Sequence, residues 1–237
     1  MRLDKFIAEN LPCTRSEARA HIQKGRVMVD GTLCKKADAQ ITGDEVITAA
    51  GKTLARREPF VYIMLNKPQG VISASEGKPG EVTVVDLVKQ QFPRRQLFPA
   101  GRLDKTSTGF VLITDDGVFA HDILAPKRHV PKTYTVVLDI PLTAEMQAGF
   151  AAGVTLADGQ LLAPAQVQPL SADGLTVRVT LKQGVYHQIK RMFGVYGAGV
   201  NELHRNAIGG LWLDETLPAG GWRLLTEAEK QQITGGQ

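Results

Sequence analysis

The stretch of sequence that decides the fold is GRLDKTSTGFVLITDDG, residues 101–117. A polar loop that contains Asp104 leads into the strand-like run FVLIT at 110–114, and two aspartates follow that run. A short apolar and β-branched run between turn residues is typical of a buried β-strand. A lone aspartate in such a loop is more often a turn or capping residue than a catalytic one. The local pattern therefore predicts a loop, a buried strand and a turn, with one carboxylate held in the loop.

Further strands and helices are predicted on both sides of this segment. They do not follow the regular strand–helix alternation of a doubly wound sheet, so the pattern predicts a mixed α+β domain. The best-argued helix has apolar residues at i, i+3, i+4 and i+7, which form one inward face. Strands are predicted at 61–66, 132–138, 174–181 and 208–213, and helices at 82–91, 117–124, 142–152, 187–196 and 226–233.

The N-terminal quarter predicts a small separate module. Two short helices are expected at 3–10 and 14–24, followed by strands at 27–29 and 44–48. The second helix opens with a threonine and a glutamate three positions apart, which is the spacing of a capping box. The polar, basic segment GKTLARREPF then precedes the strong strand signal at residue 61. The domain boundary is therefore predicted between a module at 1–59 and a larger domain at 60–237.

Composition excludes several classes of protein. Hydrophobic residues make up 43% of the 237 positions and charged residues 22%, as in an ordinary folded globular protein. The first residues, MRLDKF, do not form an apolar leader, and the longest apolar run is 60–65. We therefore expect neither secretion nor a membrane span, and predict a cytoplasmic protein. Residues 1–59 hold 11 Lys and Arg against 8 Asp and Glu, so most of the net charge of +4 lies there.

Several segments, taken together, resemble the pseudouridine synthases. GRLDKTSTGF at 101–110 resembles the hallmark motif of these enzymes, and three further segments match in family order: MLNKPQG at 64–70, KTYTVVL at 132–138 and GVYHQIKRMF at 184–193. With the N-terminal module, the chain is similar to the RsuA-like branch, which modifies a uridine in small-subunit (16S) ribosomal RNA. The resemblance implies a mixed, mainly antiparallel sheet in the catalytic domain.

The resemblance also implies the residues of the active site. Asp104 would be the nucleophile, Tyr134 the active-site tyrosine that stacks on the base, and Lys190 the basic partner that keeps Asp104 ionised. The isomerisation of uridine to pseudouridine requires neither a redox agent nor a phosphate donor, so no cofactor is expected. The histidines lack metal-ligand spacing, and no nucleotide-binding motif occurs, so neither a metal nor a nucleotide cofactor is predicted.

The N-terminal module resembles the small RNA-binding domain first recognised in a small-subunit ribosomal protein. RLDKFIA at 2–8, TRSEARAHIQKGRVMVDG at 14–31 and GDEV at 43–46 carry this likeness. The expected partner is ribosomal RNA, within a ribosomal subunit or an assembly intermediate. Basic side chains are predicted to contact its phosphates. They are Arg2, Lys5, Arg15, Arg19, Lys24 and Arg26 in the module, and Arg102, Lys127, Arg128, His187 and Arg191 in the larger domain.

Three alternatives remain open from the sequence. The same chemistry directed at large-subunit (23S) RNA would use similar motifs. A non-catalytic RNA-binding or ribosome-assembly factor would keep the fold, although the presence of Asp104, Tyr134 and Lys190 argues against it. A hydrolase with paired acids would use Asp115 and Asp116, which are more simply interpreted as turn residues after a strand. The basic side chains at 187–191 are also compatible with a solvated helix face.

Overall fold

The computed structural model describes residues 1–42, 45–54, 60–93, 95–125 and 130–235. The chain divides into two compact units, Met1–Pro59 and Phe60–Gln237. Within these described ranges, no helix is both long and apolar enough to cross a membrane.

The N-terminal unit packs two helices on a four-stranded antiparallel sheet with the order β2-β1-β3-β4. Its core joins Phe6 and Ile7 of the first helix and Ile22 of the second to Val27 and Ile47 of the sheet. The second helix opens with the predicted capping box. The elements are α1 Leu3–Asn10, α2 Arg15–Gln23, β1 Val27–Val29, β2 Thr32–Leu33, β3 Ile47–Ala49 and β4 Lys52–Leu54.

The C-terminal unit consists of one large β-sheet and the helices that pack against it. The helices are α3 Gly117–Leu124, α4 Ala144–Ala152, α5 Gln188–Gly194 and α6 Glu227–Thr234. The strands are β5 Tyr62–Lys67, β6 Phe98–Pro99, β7 Thr108–Thr114, β8 Lys132–Leu138, β9 Gln166–Pro169, β10 Thr176–Leu181, β11 Val200–Ile208, β12 Leu211–Trp212 and β13 Trp222–Leu224.

The sheet runs in the order β13-β5-β7-β11-β8-β10-β9, and β6 and β12 pair with β7 and β11. In the described part of the chain, β7 and β11 are parallel and the other neighbours are antiparallel. The prediction of a mixed, mainly antiparallel sheet is therefore confirmed. Side chains of β7 alternate between two cores, since Val111 and Ile113 join one cluster and Phe110 and Leu112 the other.

The predicted helix at 82–91 is wrong. Residues 84–91 form successive turns. Most of the backbone bonds there span three residues, for example from Val88 N to Val85 O. Three buried valines in this short segment explain the difference, because β-branched side chains crowd the preceding turn of an α-helix.

The predicted strand at 208–213 is also wrong as a continuous element. The chain turns at Gly209 and Gly210, so that Ile208 ends β11 and Leu211 pairs back on it in β12. Gly209 has φ +61, and a Cβ there would overlap the backbone of Ile233. The predicted strand at 44–48 lies partly outside the described residues, and β3 begins at Ile47.

Candidate active site

Asp104 lies in the loop between β6 and β7. The loop is anchored on either side of it, because Leu103 N donates to Ser73 Oγ at 3.0 Å and Ser107 N donates to Asp104 O at 3.0 Å. Leu103 and Ser107 are buried, whereas the side chain of Asp104 is 28% exposed. Hydrogen bonds therefore position the backbone of the loop, while the carboxylate of Asp104 stays accessible to a substrate.

Helix α5 and the residue that precedes it, His187, bring two basic side chains to this carboxylate. Lys190 Nζ lies 3.9 Å from Asp104 Oδ2 and donates to Thr106 Oγ1 at 3.1 Å. His187 Nε2 lies 3.3 Å from Asp104 Oδ1. The helix can present these groups because Ile189 and Phe193 are buried on its opposite side, as its sequence periodicity predicts. Of the residues predicted at the site, the structure thus brings Asp104, His187 and Lys190 together.

Lys67, at the end of β5, is a site residue that the sequence reasoning missed. Its side chain is fully buried, and its ammonium group donates to Ser107 O at 2.6 Å, Pro68 O at 3.1 Å and Lys105 O at 3.5 Å. Burial lowers the pKa of Lys67 to about 8, the negative charge of Asp104 opposes that effect, and Arg205 adds to it. The only sequence signal was its place in MLNKPQG, a segment to which no role was given.

Arg205 of β11 is a second buried cation, and it donates hydrogen bonds to backbone carbonyl groups in and next to the same loop. It is 3% exposed, and it donates from Nε to Phe110 O at 2.6 Å and from Nη1 to Arg102 O at 3.4 Å. Strands β7 and β11 meet at Gly109 and Arg205, and a Cβ at Gly109 would overlap the Arg205 backbone. Gly109 also has φ +101. Gly109 of the hallmark motif must therefore be a glycine, both because of its backbone conformation and because β11 approaches it closely.

Tyr134 is almost fully buried in the sheet. Its side chain is 8% exposed and belongs to the hydrophobic cluster that contains Leu103 and Ile189, the chain neighbours of Asp104 and Lys190. In β8 it faces Arg205 on one side and Val179 on the other. The structure thus assigns Tyr134 to the core that supports the site, and its predicted contact with the base remains a prediction.

Two other predicted RNA contacts of the larger unit, Arg102 and Arg191, are near Asp104 and Lys190 in the sequence. Arg102 is exposed, and Arg191 forms a 2.5 Å ion pair with Asp158. Lys127 and Arg128 lie outside the described residues.

The arginines predicted to contact RNA from the N-terminal unit share a buried carboxylate. Asp4 is fully buried and accepts from Arg2 at 3.2 Å, Arg15 at 3.1 Å and Arg19 at 2.8 Å. Burial raises the pKa of Asp4, but the three guanidinium groups outweigh it and hold the pKa well below its usual range. These arginines therefore stabilise the fold as well as present charge. Lys5 pairs with Glu9, whereas Lys24 and Arg26 are exposed.

The paired acids of the hydrolase alternative have structural partners. Asp115 accepts from Val61 N and binds Arg95 at 2.8 Å. Asp116 caps α3 and accepts from the Tyr62 hydroxyl at 2.7 Å. Both are held as turn and capping residues, as the simpler interpretation predicts. In the part of the chain that the structure describes, no group of three or more histidine, cysteine or acidic residues is arranged to hold a metal ion.

Comparisons with known proteins identify relatives of both units. Residues 61–194 match the family described as RNA pseudouridylate synthase, and residues 1–47 match the S4 domain. The chain is 41% identical over 230 residues to the Ribosomal small subunit pseudouridine synthase A of Salmonella typhimurium strain LT2, covering 97% of this chain and 98% of that protein. It is 40% identical over 232 residues to the Uncharacterized RNA pseudouridine synthase YtzG of Bacillus subtilis strain 168, covering 97% and 96%.

A solved structure supports the same assignment. The crystal structure of a pseudouridylate synthase superposes with a TM-score of 0.70 at 38% identity, over 98% of this chain and 99% of that one. The resemblance found in the sequence motifs is confirmed over nearly the whole chain. The chain therefore belongs to the RNA pseudouridylate synthase family, in its RsuA-like branch, and is an isomerase that acts on RNA.

Proposed function

We propose that this protein converts one uridine of small-subunit (16S) ribosomal RNA to pseudouridine, with Asp104 as the reacting carboxylate. The observation that carries the proposal is the accessible carboxylate of Asp104, with His187 at 3.3 Å and Lys190 at 3.9 Å. The choice of 16S RNA rests on the relatives from Salmonella typhimurium and Escherichia coli K12, both called Ribosomal small subunit pseudouridine synthase A.

Asp104 acts as an anion, and cationic groups lie close to it. A neighbouring positive charge stabilises a carboxylate, and Lys190 supplies one beside it while Lys67 supplies another beneath the loop. The carboxylate either attacks C1′ of the sugar as the bond from C1′ to N1 breaks, or stabilises the electron-poor C1′ without bonding to it. The base then turns and C5 bonds to C1′, which breaks any bond between C1′ and Asp104. C5 loses its proton and N1 gains one. Every atom of uridine is kept, so no co-reactant is consumed.

The target uridine must leave its RNA stack to meet Asp104. Extruding a base costs a few kcal/mol, which contacts to the RNA backbone and to the pocket offset. We infer that Arg102 and Arg191 make such backbone contacts, that Tyr134 supports the extruded base, and that the N-terminal unit holds the RNA at a distance from the site. The reaction takes place in the cytoplasm, on a ribosomal subunit or an assembly intermediate.

The test compares pseudouridines in both ribosomal RNAs from a strain that lacks this protein. We expect one 16S position to lose its modification, and the wild-type gene to restore it. Asp104→Asn should not restore it, because the amide keeps the shape but lacks the charge and the nucleophile. Glu215→Gln removes one exposed carboxylate elsewhere in the same unit and should restore it fully.

The outcomes separate the alternatives. Loss of a 23S position would direct the activity to the large subunit. Unchanged pseudouridines in both RNAs would contradict the proposed ribosomal RNA substrate. Restoration by Asp104→Asn would contradict the role of the carboxylate.

A further inference from the structure

Tyr186 presents an exposed aromatic ring beside the catalytic aspartate. Its side chain is 75% exposed, in the loop that leads from β10 into α5. The ring stacks on His187, with centroids 3.8 Å apart and planes inclined by 17°. One face of Tyr186 is thus covered by the imidazole, and most of the rest is open to solvent. The open face of the ring is therefore available for contact with another molecule.

His187 connects this ring to Asp104. His187 has φ +49, a left-handed conformation that is uncommon for a residue with a Cβ. That turn directs Nε2 to within 3.3 Å of Asp104 Oδ1. The following residues, Gln188 and Ile189, are buried and hold the start of α5 in place. Tyr186 is therefore one stacked ring away from the reacting carboxylate.

The charges around the ring suit RNA. Residues 181–195 contain Lys182, His187, Lys190 and Arg191, and no acidic residue. The acidic partners come from elsewhere in the unit, since Arg191 pairs with Asp158, and His187 and Lys190 face Asp104. Aromatic side chains that lie among basic groups are a common binding site for unpaired nucleotides, since the ring stacks on a base and the cations contact phosphates. When a uridine leaves its stack, each neighbouring base loses a stacking partner. A planar ring next to the site can replace that partner.

We propose that the Tyr186–His187 pair stacks on the nucleobase that adjoins the target uridine and replaces the stacking face that the extruded uridine leaves. This inference rests on the proposed function, because it requires an extruded uridine at Asp104. Neither Tyr186 nor His187 is one of the predicted catalytic residues, so this stacking would be an additional contact with the substrate.

The test is a cycle between changes in the protein and in the RNA. The RNA is a 16S fragment that contains the uridine modified by the wild-type protein, and its variants carry an abasic nucleotide 5′ or 3′ of that uridine. Affinities are measured in the Asp104→Asn background, so no chemistry intervenes. Tyr186→Leu should weaken binding about tenfold, whereas Tyr186→Phe, which keeps the ring, should bind within about twofold of the parent.

The cycle identifies the base that Tyr186 contacts. One of the two abasic RNAs should lose about as much affinity as Tyr186→Leu, and combining the two changes should cost little more than either alone. Trp212→Leu removes another exposed aromatic ring of the described part of this unit and is the matched control. Additive losses for both abasic RNAs, or equal losses in Trp212→Leu and Tyr186→Leu, would overturn the inference.

The proposed function is checked on its own in the same experiment. Pseudouridine formation by the wild-type protein is measured first, on the unaltered fragment and on small ribosomal subunits that lack the modification. If none forms, the proposed function and the inference both fall. If it forms and the cycle is additive, only the stacking contact is overturned.

Discussion

Lys67 links the stability of the C-terminal unit to the chemistry of its site. Its buried ammonium group donates to the carbonyl oxygens of Pro68, Lys105 and Ser107, two of which lie in the loop that carries Asp104. The charge of Asp104 also acts on this ammonium group, since it raises the pKa of Lys67 against the effect of burial. One residue 37 positions away in the sequence thus positions the loop and interacts with the charge that the loop presents.

Lys67 should also give the unit a characteristic dependence on pH. Its pKa is lowered from 10.5 to about 8 by burial, so between these values the unfolded chain binds more protons there than the folded chain. Stability therefore rises with pH in this window, by at most about 1.4 kcal/mol per pH unit. We expect the unfolding free energy of the wild type minus that of Lys67→Met to increase from pH 8 to pH 10, because only the wild type carries this titrating group.

Urea unfolding followed by tryptophan fluorescence measures this difference. Trp212 and Trp222, the two tryptophans of the chain, both belong to the C-terminal unit. Lys182→Met changes an exposed lysine and serves as the control, with a difference that stays constant over the same range. A constant difference for Lys67→Met as well would show that the folded and unfolded pKa values are equal.

Among the elements, those with strong local signals were predicted from the sequence. Helix α3 and strand β8 have the predicted bounds, and α3 begins where Asp116 accepts from Val118 N and Phe119 N. Most of β11 was missed, because VNELHRNAI is too polar to predict a central strand. Its pairing with β7 and β8 is fixed by tertiary contacts rather than by local preference.

The residues of the candidate site also differ in whether the sequence could predict them. Asp104 and Lys190 were found through motifs that lie in continuous segments. Lys67 and Arg205 were not, because what they do depends on carbonyl groups about 40 and 95 positions away in the chain. A buried lysine or arginine has no local pattern that predicts its hydrogen-bond partner.

Helices α1 and α2 are joined by the ion pairs of Asp4. In Arg15→Ala with Arg19→Ala, this buried carboxylate would keep Arg2 alone of its three partners. We expect the double variant to destabilise the N-terminal unit by about 1–3 kcal/mol, since the arginines are half-exposed and water offsets part of the loss. Adding Asp4→Asn should recover stability, because the buried charge is then absent. Hydrogen exchange of α1 and α2 in the full chain measures both effects.

The pH dependence of this unit follows from the same carboxylate. The folded pKa of Asp4 lies below that of the unfolded chain, so its contribution is present above a pH of about 4 and is lost as the pH falls further. The Asp4→Asn variant should lack this acid-dependent part of the stability.

Equal hydrogen exchange in the double arginine variant and in the triple variant that adds Asp4→Asn would contradict the proposed role of the arginines.

On the scale of the whole molecule, charge and chemistry are divided between the two units. Residues 1–59 contribute a net charge of +3, and the remaining 178 residues contribute +1. Each unit has a hydrophobic core of its own. This separation indicates that RNA affinity and catalysis can be changed independently.

Deleting residues 1–59 should leave a folded catalytic unit that binds RNA more weakly. Each phosphate contact that is lost removes about one unit from the slope of log affinity against log salt concentration. Lys24→Ala with Arg26→Ala should reproduce part of this loss. These exposed side chains do not bind Asp4, so their removal tests phosphate contacts without disturbing the core of the N-terminal unit.

The measurement is RNA binding over a salt series for the full chain, the truncated chain and the double variant. Single-turnover pseudouridine formation at saturating enzyme should be nearly the same in all three, since Asp104, His187 and Lys190 belong to the C-terminal unit. Tryptophan fluorescence of Trp212 and Trp222 checks that this unit stays folded. A salt slope unchanged by truncation would mean that the RNA is held by the basic residues of the C-terminal unit.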